Sequence, residues 1–334
     1  MVDAKRMGPE SKVFVAGHRG LVGSAVVRRL SAGRYAHVLT ADREQLDLRC
    51  QSAVNRWFDV NRPEFVILAA AQVGGIAANS LHPAGFISDN LAIQSTVIDT
   101  AYRFGVRRLL FLGSSCIYPR ACPQPIAEGY LLSGPLEPTN EPYAVAKIAG
   151  VKLCEAYNRQ HGTSYVSLMP TNLYGPWDNF DLEDSHVLPA LMRKLHEAKV
   201  GCKSDVSVWG SGKPRREFLY VADLADAVAF VLEKTDDTRL LNVGTGRDIS
   251  IARLAEMMAY WIDFSGRLVF DARRPDGTML KRLDCSRLSQ LGWTAQTTLA
   301  AGISATYRWY LEHGPSPDSA MWQWARERAS QEQS

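Results

Sequence analysis

Lys12-Val-Phe-Val-Ala-Gly17-His-Arg-Gly20-Leu-Val-Gly23 decides the fold. The apolar run reads as a buried strand, the glycines as a turn, and Ser24-Ala-Val-Val-Arg-Arg-Leu30 as the helix that follows. Glycine at 17, 20 and 23 permits a tight turn, close approach of backbone to a pyrophosphate, and close packing of helix on strand. The helix N-terminus then offers amide donors to phosphate oxygens. The spacing is G-x-x-G-x-x-G, not the commoner G-x-G-x-x-G, and a glycine turn that is only a turn is the plainer alternative.

The same alternation continues downstream. Strands are expected at 12–17, 37–41, 64–71, 108–114 and 164–170, and helices at 21–33, 49–60, 83–104 and 141–161. Near-continuous apolar runs such as Phe65-Val-Ile-Leu-Ala-Ala-Ala71 suit a parallel sheet covered on both faces. The pattern predicts an α/β fold, a Rossmann-type doubly wound parallel sheet with its ligand crevice beyond the carboxyl ends of the strands. Gly17, Ala70, Ser114 and Asn172 fall on that edge. After Asn172-Leu-Tyr-Gly-Pro-Trp177, read as a turn-rich break, the pattern changes. A helix (186–198), a strand (206–209) and Arg215-Arg-Glu-Phe-Leu-Tyr-Val-Ala-Asp223 leading into a helix come next. A strand at 240–246 returns to the main sheet, and a helix (250–261), a strand (267–271) and a helix near 299–312 follow. The expected organisation is a dinucleotide-binding domain over 12–172, with returns near 218–246, and a smaller C-terminal substrate-binding lobe over 173–217 and 247–315. Residues 1–11 and 316–334 read as tails.

The 334 residues suffice for a substantial core, and 46% apolar with 22% charged residues is ordinary for a globular chain. A net charge of +3 gives no argument for nucleic acid or a membrane surface. No apolar run spans a bilayer, and the N-terminus lacks a signal-peptide core, so a cytoplasmic protein is expected. The six cysteines include no C-x-x-C pair; neither a metal site nor a disulfide framework is expected. Cys50, Cys154, Cys202 and Cys285 read as small buried hydrophobes.

The chemistry is carried by Tyr143 and Lys147, four residues apart in Asn-Glu-Pro-Tyr-Ala-Val-Ala-Lys. They share a helix face, behind a strand that ends Leu109-Leu-Phe-Leu-Gly-Ser-Ser-Cys-Ile-Tyr118. A nearby ammonium is expected to lower the phenol's pKa from its ordinary value of about 10. A phenol tuned in this way exchanges a proton with a carbonyl oxygen, as carbonyl reduction requires. A surface tyrosine and lysine at helical spacing is the plainer reading.

Together these residues resemble the nucleotide-sugar branch of the extended short-chain dehydrogenase/reductases. Ala70-Ala-Gln-Val-Gly-Gly-Ile76, Leu112-Gly-Ser-Ser-Cys-Ile-Tyr-Pro119, Leu136-Glu-Pro-Thr-Asn-Glu-Pro-Tyr143, Met169-Pro-Thr-Asn-Leu-Tyr-Gly-Pro176 and Arg273-Arg-Pro-Asp-Gly-Thr278 are similar to the GDP-L-fucose synthase family within that branch. The resemblance implies C3/C5 epimerisation of GDP-4-keto-6-deoxy-D-mannose, then NADPH-dependent reduction of its C4 ketone to give GDP-L-fucose. It implies a reductase triad of Ser114, Tyr143 and Lys147, and an epimerase pair of Cys116 and His186. A local hydrogen bond at a helix N-terminus is the plainer reading of His186. For NADP(H) it implies Gly17, Arg19, Gly20, Leu21, Val22, Gly23, Arg43, Asp47, Leu48, Leu112, Gly113, Lys147, Pro170, Asn172, Leu173 and His186. Asp42, directly before Arg43, is the opposing signal, because an acid here often selects the unphosphorylated ribose; its place past the strand end points it to solvent. For the GDP-sugar the resemblance implies Lys194, Trp209, Arg216 and Asp276, with lysine at 194 where the family often has arginine. A homodimer through helices 83–104 and 141–161 is expected by analogy.

Three other functions compete with this reading. A 4,6-dehydratase would want an acid beside the serine, where Ser115-Cys116 supplies none. A 4-epimerase would retain bound NAD. A non-catalytic dinucleotide sensor would not need the Tyr143/Lys147 pair.

Overall fold

Each apolar run of the first half forms a strand of one sheet. The computed structural model describes residues 6–182, 185–274 and 276–314; the tail reading at 316–334, and residues 1–5 of the tail at 1–11, lie outside them. In chain order the first half comprises β1 (Lys12–Ala16), α1 (Leu21–Ala32), β2 (His37–Leu39), α2 (Gln51–Asn61), β3 (Phe65–Leu68), α3 (Ile76–Leu81), α4 (Pro83–Arg103), β4 (Arg108–Leu112), α5 (Glu141–His161) and β5 (Tyr165–Pro170). Then come β6 (Asn172–Tyr174), α6 (Val187–Val200), β7 (Asp205–Trp209), β8 (Arg215–Tyr220), α7 (Val221–Lys234), β9 (Leu240–Val243), β10 (Asp248–Ser250), α8 (Ile251–Ile262), β11 (Arg267–Asp271), β12 (Leu280–Lys281), α9 (Ser286–Gln290) and α10 (Leu299–His313).

The main sheet has six parallel strands in the order β2-β1-β3-β4-β5-β9, so the 240s strand does return to it. The winding reverses between β1 and β3, and the crevice opens beyond their carboxyl ends. Strand alternation feeds two cores. Val13 and Val15 join Val26, Leu30, Leu224 and Val228 on one face, while Phe14 and Ala16 join Val54, Phe58, Val97 and Val151 on the other. Each fully buried aliphatic or phenylalanine there contributes about 1.5–3 kcal/mol. Arg108, also buried, donates to the carbonyls of Val231, Thr235 and Asp237 at 3.1, 2.7 and 3.3 Å. Its charge closes the C-terminus of α7, where cations are favoured.

A third core, with Phe180, Leu188, Met192, Leu195, Val208, Leu254, Met258 and Tyr310, packs α6, α8 and α10 around the later strands. There β8 pairs in parallel with β6 and β12 and antiparallel with β10, and β7 pairs with β11. The turn-rich reading of Asn172–Trp177 is corrected at its start: 172–174 form β6, matched to Phe218–Tyr220. Pieces of two or three residues, such as β12 and β6, are too short to carry a periodic signal. The cysteine expectation holds for Cys154, which is buried, but Cys50 and Cys202 are exposed and Cys285 is half-buried. Both exposed thiols flank helix ends, at the start of α2 and just past α6, where the chain lies on the surface.

Candidate active site

The glycines of the first turn have separate tasks. Gly17 adopts φ +89°, and a Cβ there would lie 2.6 Å from the Ala70 nitrogen. A Cβ on Gly23 would lie 2.0 Å from the Gly17 carbonyl oxygen. Both positions serve close packing. Gly20, the N-cap of α1, has no such neighbour: its Cβ would meet only the Gly17 oxygen, at 3.6 Å. The open face therefore lies at Gly20, Leu21 and Val22, where the first amides of α1 stand, and this cradle fits a dinucleotide pyrophosphate. Gly23→Ala is expected to cost about 1–3 kcal/mol of stability by overpacking. Gly20→Ala is expected to leave stability within about 0.5 kcal/mol yet weaken dinucleotide binding. Denaturant unfolding and NADPH titration of the two variants check this; equal stability losses would contradict the division.

The second strand's end carries the adenosine-side candidates. Arg19 donates to the Asp42 carboxylate at 2.6 Å, and His18 Nε2 lies 3.2 Å from its other oxygen. Asp42 is thus ion-paired, with its side chain only 20% exposed, and does not point to solvent. The loop geometry that carries Arg19 over β2 brings a guanidinium to it. Arg43 is exposed. Asp47 is held by Arg49, whose hydrogen bonds keep its carboxyl below the usual range. Leu48 packs against the second core.

Beyond the ends of β4 and β5 the candidate catalytic groups gather. Lys147, 3% exposed, donates from Nζ to the Leu112 carbonyl at 2.8 Å and stands 5.8 Å from the centre of the Tyr143 ring. Gly113 donates to the Leu168 carbonyl, and its bare Cα makes room for Met169, whose Cε would lie 2.0 Å from a Cβ. Asn172 donates to the Glu217 carbonyl at 2.8 Å, anchoring the segment from Pro170 through Leu173. Ser114 accepts the Cys116 amide at 3.3 Å, which turns the chain into a short 3-10 helix at Ser115–Ile117. The Ser114 hydroxyl is a polar neighbour that acts to lower the pKa values of both the Tyr143 phenol and the Cys116 thiol.

Burial dominates those values. It pushes the Tyr143 phenol above its ordinary range, with the Cys116 sulfur adding to the rise. The expected lowering by Lys147 is not what the structure shows: burial sets the phenol's pKa, while the ammonium gives one of its hydrogen bonds to Leu112 and burial pulls its own pKa down to about 8. At neutral pH Tyr143 is a proton donor. Burial likewise pushes the Cys116 thiol up, against the charges of Lys281 and Lys147.

His186 is the N-cap of α6, but its side chain makes no capping bond, which removes the plainer reading of it. The residue keeps an exposed surface; protein around the ring, together with the charge of Lys281, pulls its pKa below that of an ordinary imidazole. Lys281 thus reaches both Cys116 and His186 electrostatically. It is half-buried on β12, in register with Arg216. The strand that carries it is stitched to the segment after Cys116, where Ile126 and Arg282 exchange a backbone hydrogen bond of 2.8 Å. Sequence reasoning missed Lys281, since a lysine in a two-residue strand belongs to no motif.

Of the remaining candidates, Trp209 is 52% exposed and lies between two cations, with Lys194 Nζ and Arg274 Cζ each 4.7 Å from its ring. Arg274 was also missed. Arg216 is half-buried and donates to the carbonyls of Arg215 and Thr278. Asp276 accepts the amide and hydroxyl of Ser211 at 2.6 and 2.7 Å, so its carboxylate closes the turn after β7. The structure therefore brings Ser114, Cys116, Tyr143 and Lys147 together directly, links His186 to them through Lys281, and sets Lys194, Trp209 and Arg216 on the later strands and α6.

Comparison with known proteins agrees with this architecture. Residues 13–244 match the NAD dependent epimerase/dehydratase family. The chain is 54% identical over 303 residues to GDP-L-fucose synthase 1 of Arabidopsis thaliana, covering 91% of this chain and 94% of that one. It is 51% identical over 313 residues to GDP-L-fucose synthase of Escherichia coli (strain K12), covering 91% and 98%. A crystal structure of a GDP-L-fucose synthetase from Naegleria fowleri bound to NADP superposes with a TM-score of 0.85 at 30% identity, covering 92% of this chain and 96% of that one. The chain belongs to the NAD dependent epimerase/dehydratase family.

Proposed function

We propose that this protein converts GDP-4-keto-6-deoxy-D-mannose to GDP-L-fucose, inverting C3 and C5 and then reducing the C4 ketone with NADPH. The observation that carries the reading is the clustering of Ser114, Cys116, Tyr143 and Lys147 beyond the end of β4, with the Cys116 amide on the Ser114 hydroxyl at 3.3 Å and the Lys147 ammonium 5.8 Å from the Tyr143 ring centre. A proton donor for reduction and a proton carrier for epimerisation then address one ketone. Similarity to GDP-L-fucose synthases supports the substrate.

In this reading Ser114 hydrogen-bonds the C4 carbonyl. The ketone acidifies the protons on C3 and C5, and the Ser114 hydroxyl stabilises the enolate formed when either leaves. Cys116 and His186 remove and return these protons on opposite faces of the ring. The bound dinucleotide, when present, supplies a hydride to C4. Tyr143 gives its phenolic proton to the oxygen at C4, and Lys147 holds the nicotinamide ribose and the charge left on the phenol. Arg216 and Lys194 bind the diphosphate, Trp209 packs on the nucleotide, and Lys281 adds positive charge between Cys116 and His186. Asp276 shapes the turn beside Arg216. The preference for NADPH rests on Arg19 and Arg43, with Asp42 neutralised by Arg19. The dinucleotide domain is assigned to 12–172 with the return at 218–246, the substrate lobe to 173–217 and 247–315, and a homodimer to the outer faces of α4 and α5.

Incubation with GDP-4-keto-6-deoxy-D-mannose and NADPH tests this. GDP-L-fucose is the expected product. A product reduced at C4 without inversion would indicate another reductase of the family, and tightly bound NAD in the purified protein would indicate a 4-epimerase.

A further inference from the structure

Trp209, the last residue of β7, carries two cations on one exposed ring. Lys194 Nζ reaches it from α6 and the Arg274 guanidinium from the loop after β11, each 4.7 Å from the ring centre. Cation–π attraction holds each of them there. The two nevertheless repel one another: burial, and then the charge of Arg274, pull the Lys194 pKa down. The carboxylates nearby are engaged elsewhere. Asp271 is closed on Arg273 at 2.7 and 3.0 Å, Glu197 on Arg193 at 2.7 Å, and Asp276 on the amide and hydroxyl of Ser211. Among the described residues neither Lys194 nor Arg274 has an ion-paired carboxylate. Two like charges gathered on one ring without a counter-charge form a site for an anion.

This cluster is continuous with the candidate catalytic groups. Arg216 donates to the Thr278 carbonyl, and a Cβ on Gly277 would lie 3.4 Å from its Nη2, so the loop that carries Arg274 packs on Arg216. Arg216 is in register with Lys281, whose charge reaches Cys116 and His186. Along α6, Lys194 stands about two turns, or about 12 Å, beyond His186. In the proposed substrate the diphosphate leaves the ring at C1, across from the C4 ketone and therefore away from Ser114 and Tyr143. The run of cations from Lys281 through Arg216 to Arg274 and Lys194 suits that exit.

We propose that Arg274 is a specificity-determining residue that grips the diphosphate of the sugar nucleotide, together with Lys194 on the Trp209 ring. The inference rests on the proposed function and adds to it a role for Arg274, to which the family resemblance gave none. Lysine at 194, where the family often has arginine, is a point charge without a fork. The Arg274 guanidinium supplies the planar pair of donors that phosphate oxygens take best.

Calorimetric titration of the NADPH-loaded protein with GDP and with guanosine tests this, beside turnover. Arg274→Met keeps an unbranched side chain on Trp209 and removes the charge; Arg274→Lys keeps the charge and removes the fork. Position 274 is exposed, so both variants are expected to fold. Arg274→Met is expected to raise the Kd of GDP and the KM of GDP-4-keto-6-deoxy-D-mannose by about 10- to 100-fold. Its kcat and its guanosine affinity should change less than about twofold. Arg274→Lys should recover part of the loss, and NADPH affinity should stand in both. Equal losses of GDP and guanosine affinity in Arg274→Met, unaltered GDP affinity, or an equal loss of NADPH affinity would overturn the assignment. Failure of the unaltered protein to make GDP-L-fucose, with the GDP loss of Arg274→Met still present, would instead overturn the proposed function and leave the diphosphate site standing.

Discussion

Tyr143→Phe is expected to abolish GDP-L-fucose formation, by about 10²- to 10⁴-fold, while C3 and C5 of the substrate continue to exchange with deuterated water. The argument begins with burial. The phenol is pushed above its ordinary pKa, so it carries its proton throughout the working pH range and is poised as an acid. Phenylalanine fills the same space against Phe86, whose ring packs edge-on to Tyr143 at 6.3 Å, so the fold should tolerate the change. The group lost is the one that neutralises charge at the C4 oxygen during hydride arrival. Enolate formation keeps Ser114 and the Cys116 and His186 pair, and therefore persists. Lys147 adds a pH signature. Its pKa is pulled down to about 8, so its charge is present below that pH and lost above it. Reduction by the unaltered protein should thus decline as pH rises through about 8. Loss of exchange along with reduction in Tyr143→Phe would show that the two chemistries cannot be separated at this site.

The sheet was legible because its signal is local and repeated. Val13 to Ala16 alternate between two cores, and Gly17 and Gly23 mark a turn that only small residues permit. Tyr143 and Lys147 were legible because one helical turn fixes their relation before any tertiary contact forms. The substrate lobe was less so. Its strands β6, β10 and β12 are two or three residues long and are held by pairing with β8, a relation between distant parts of the chain. Lys281 and Arg274 were invisible for that reason: each acquires meaning only from a neighbour far off in sequence, Cys116 and His186 for one and Trp209 for the other. Electrostatic sign was the least legible property. Spacing put an ammonium near the Tyr143 phenol, but whether burial or charge sets the phenol's pKa depends on how deep the pair lies and on what else the ammonium bonds.

Cys116→Ser is expected to stop epimerisation, lowering C3/C5 exchange by about 10²- to 10⁴-fold and fucose formation with it, while NADPH binding is kept. The pKa directions explain why a thiol suits this position. Burial holds Cys116 protonated at neutral pH, while burial and Lys281 hold His186 neutral. The resting pair therefore has one group ready to give a proton and one ready to take it. For His186 to act as the acid instead, its ring would first have to be charged. A serine hydroxyl ionises far less readily than a thiol of pKa about 8.5, so the exchange loses one of its two partners. The glycine turn packs on Ala69, Ala70 and its own backbone, so dinucleotide affinity should stand. Acidity should stop the reaction from the other side. Because the pKa of His186 is lowered, its neutral form persists through pH 7, and exchange should fall only below the ordinary imidazole value of about 6.5. Two controls isolate the effect. Cys202→Ser, exposed just past α6, should leave exchange unchanged, and a sugar already inverted at C3 and C5 should still be reduced by Cys116→Ser. Fucose formation at the unaltered rate in Cys116→Ser would remove the thiol from the mechanism and leave His186 to work with some other partner across the ring.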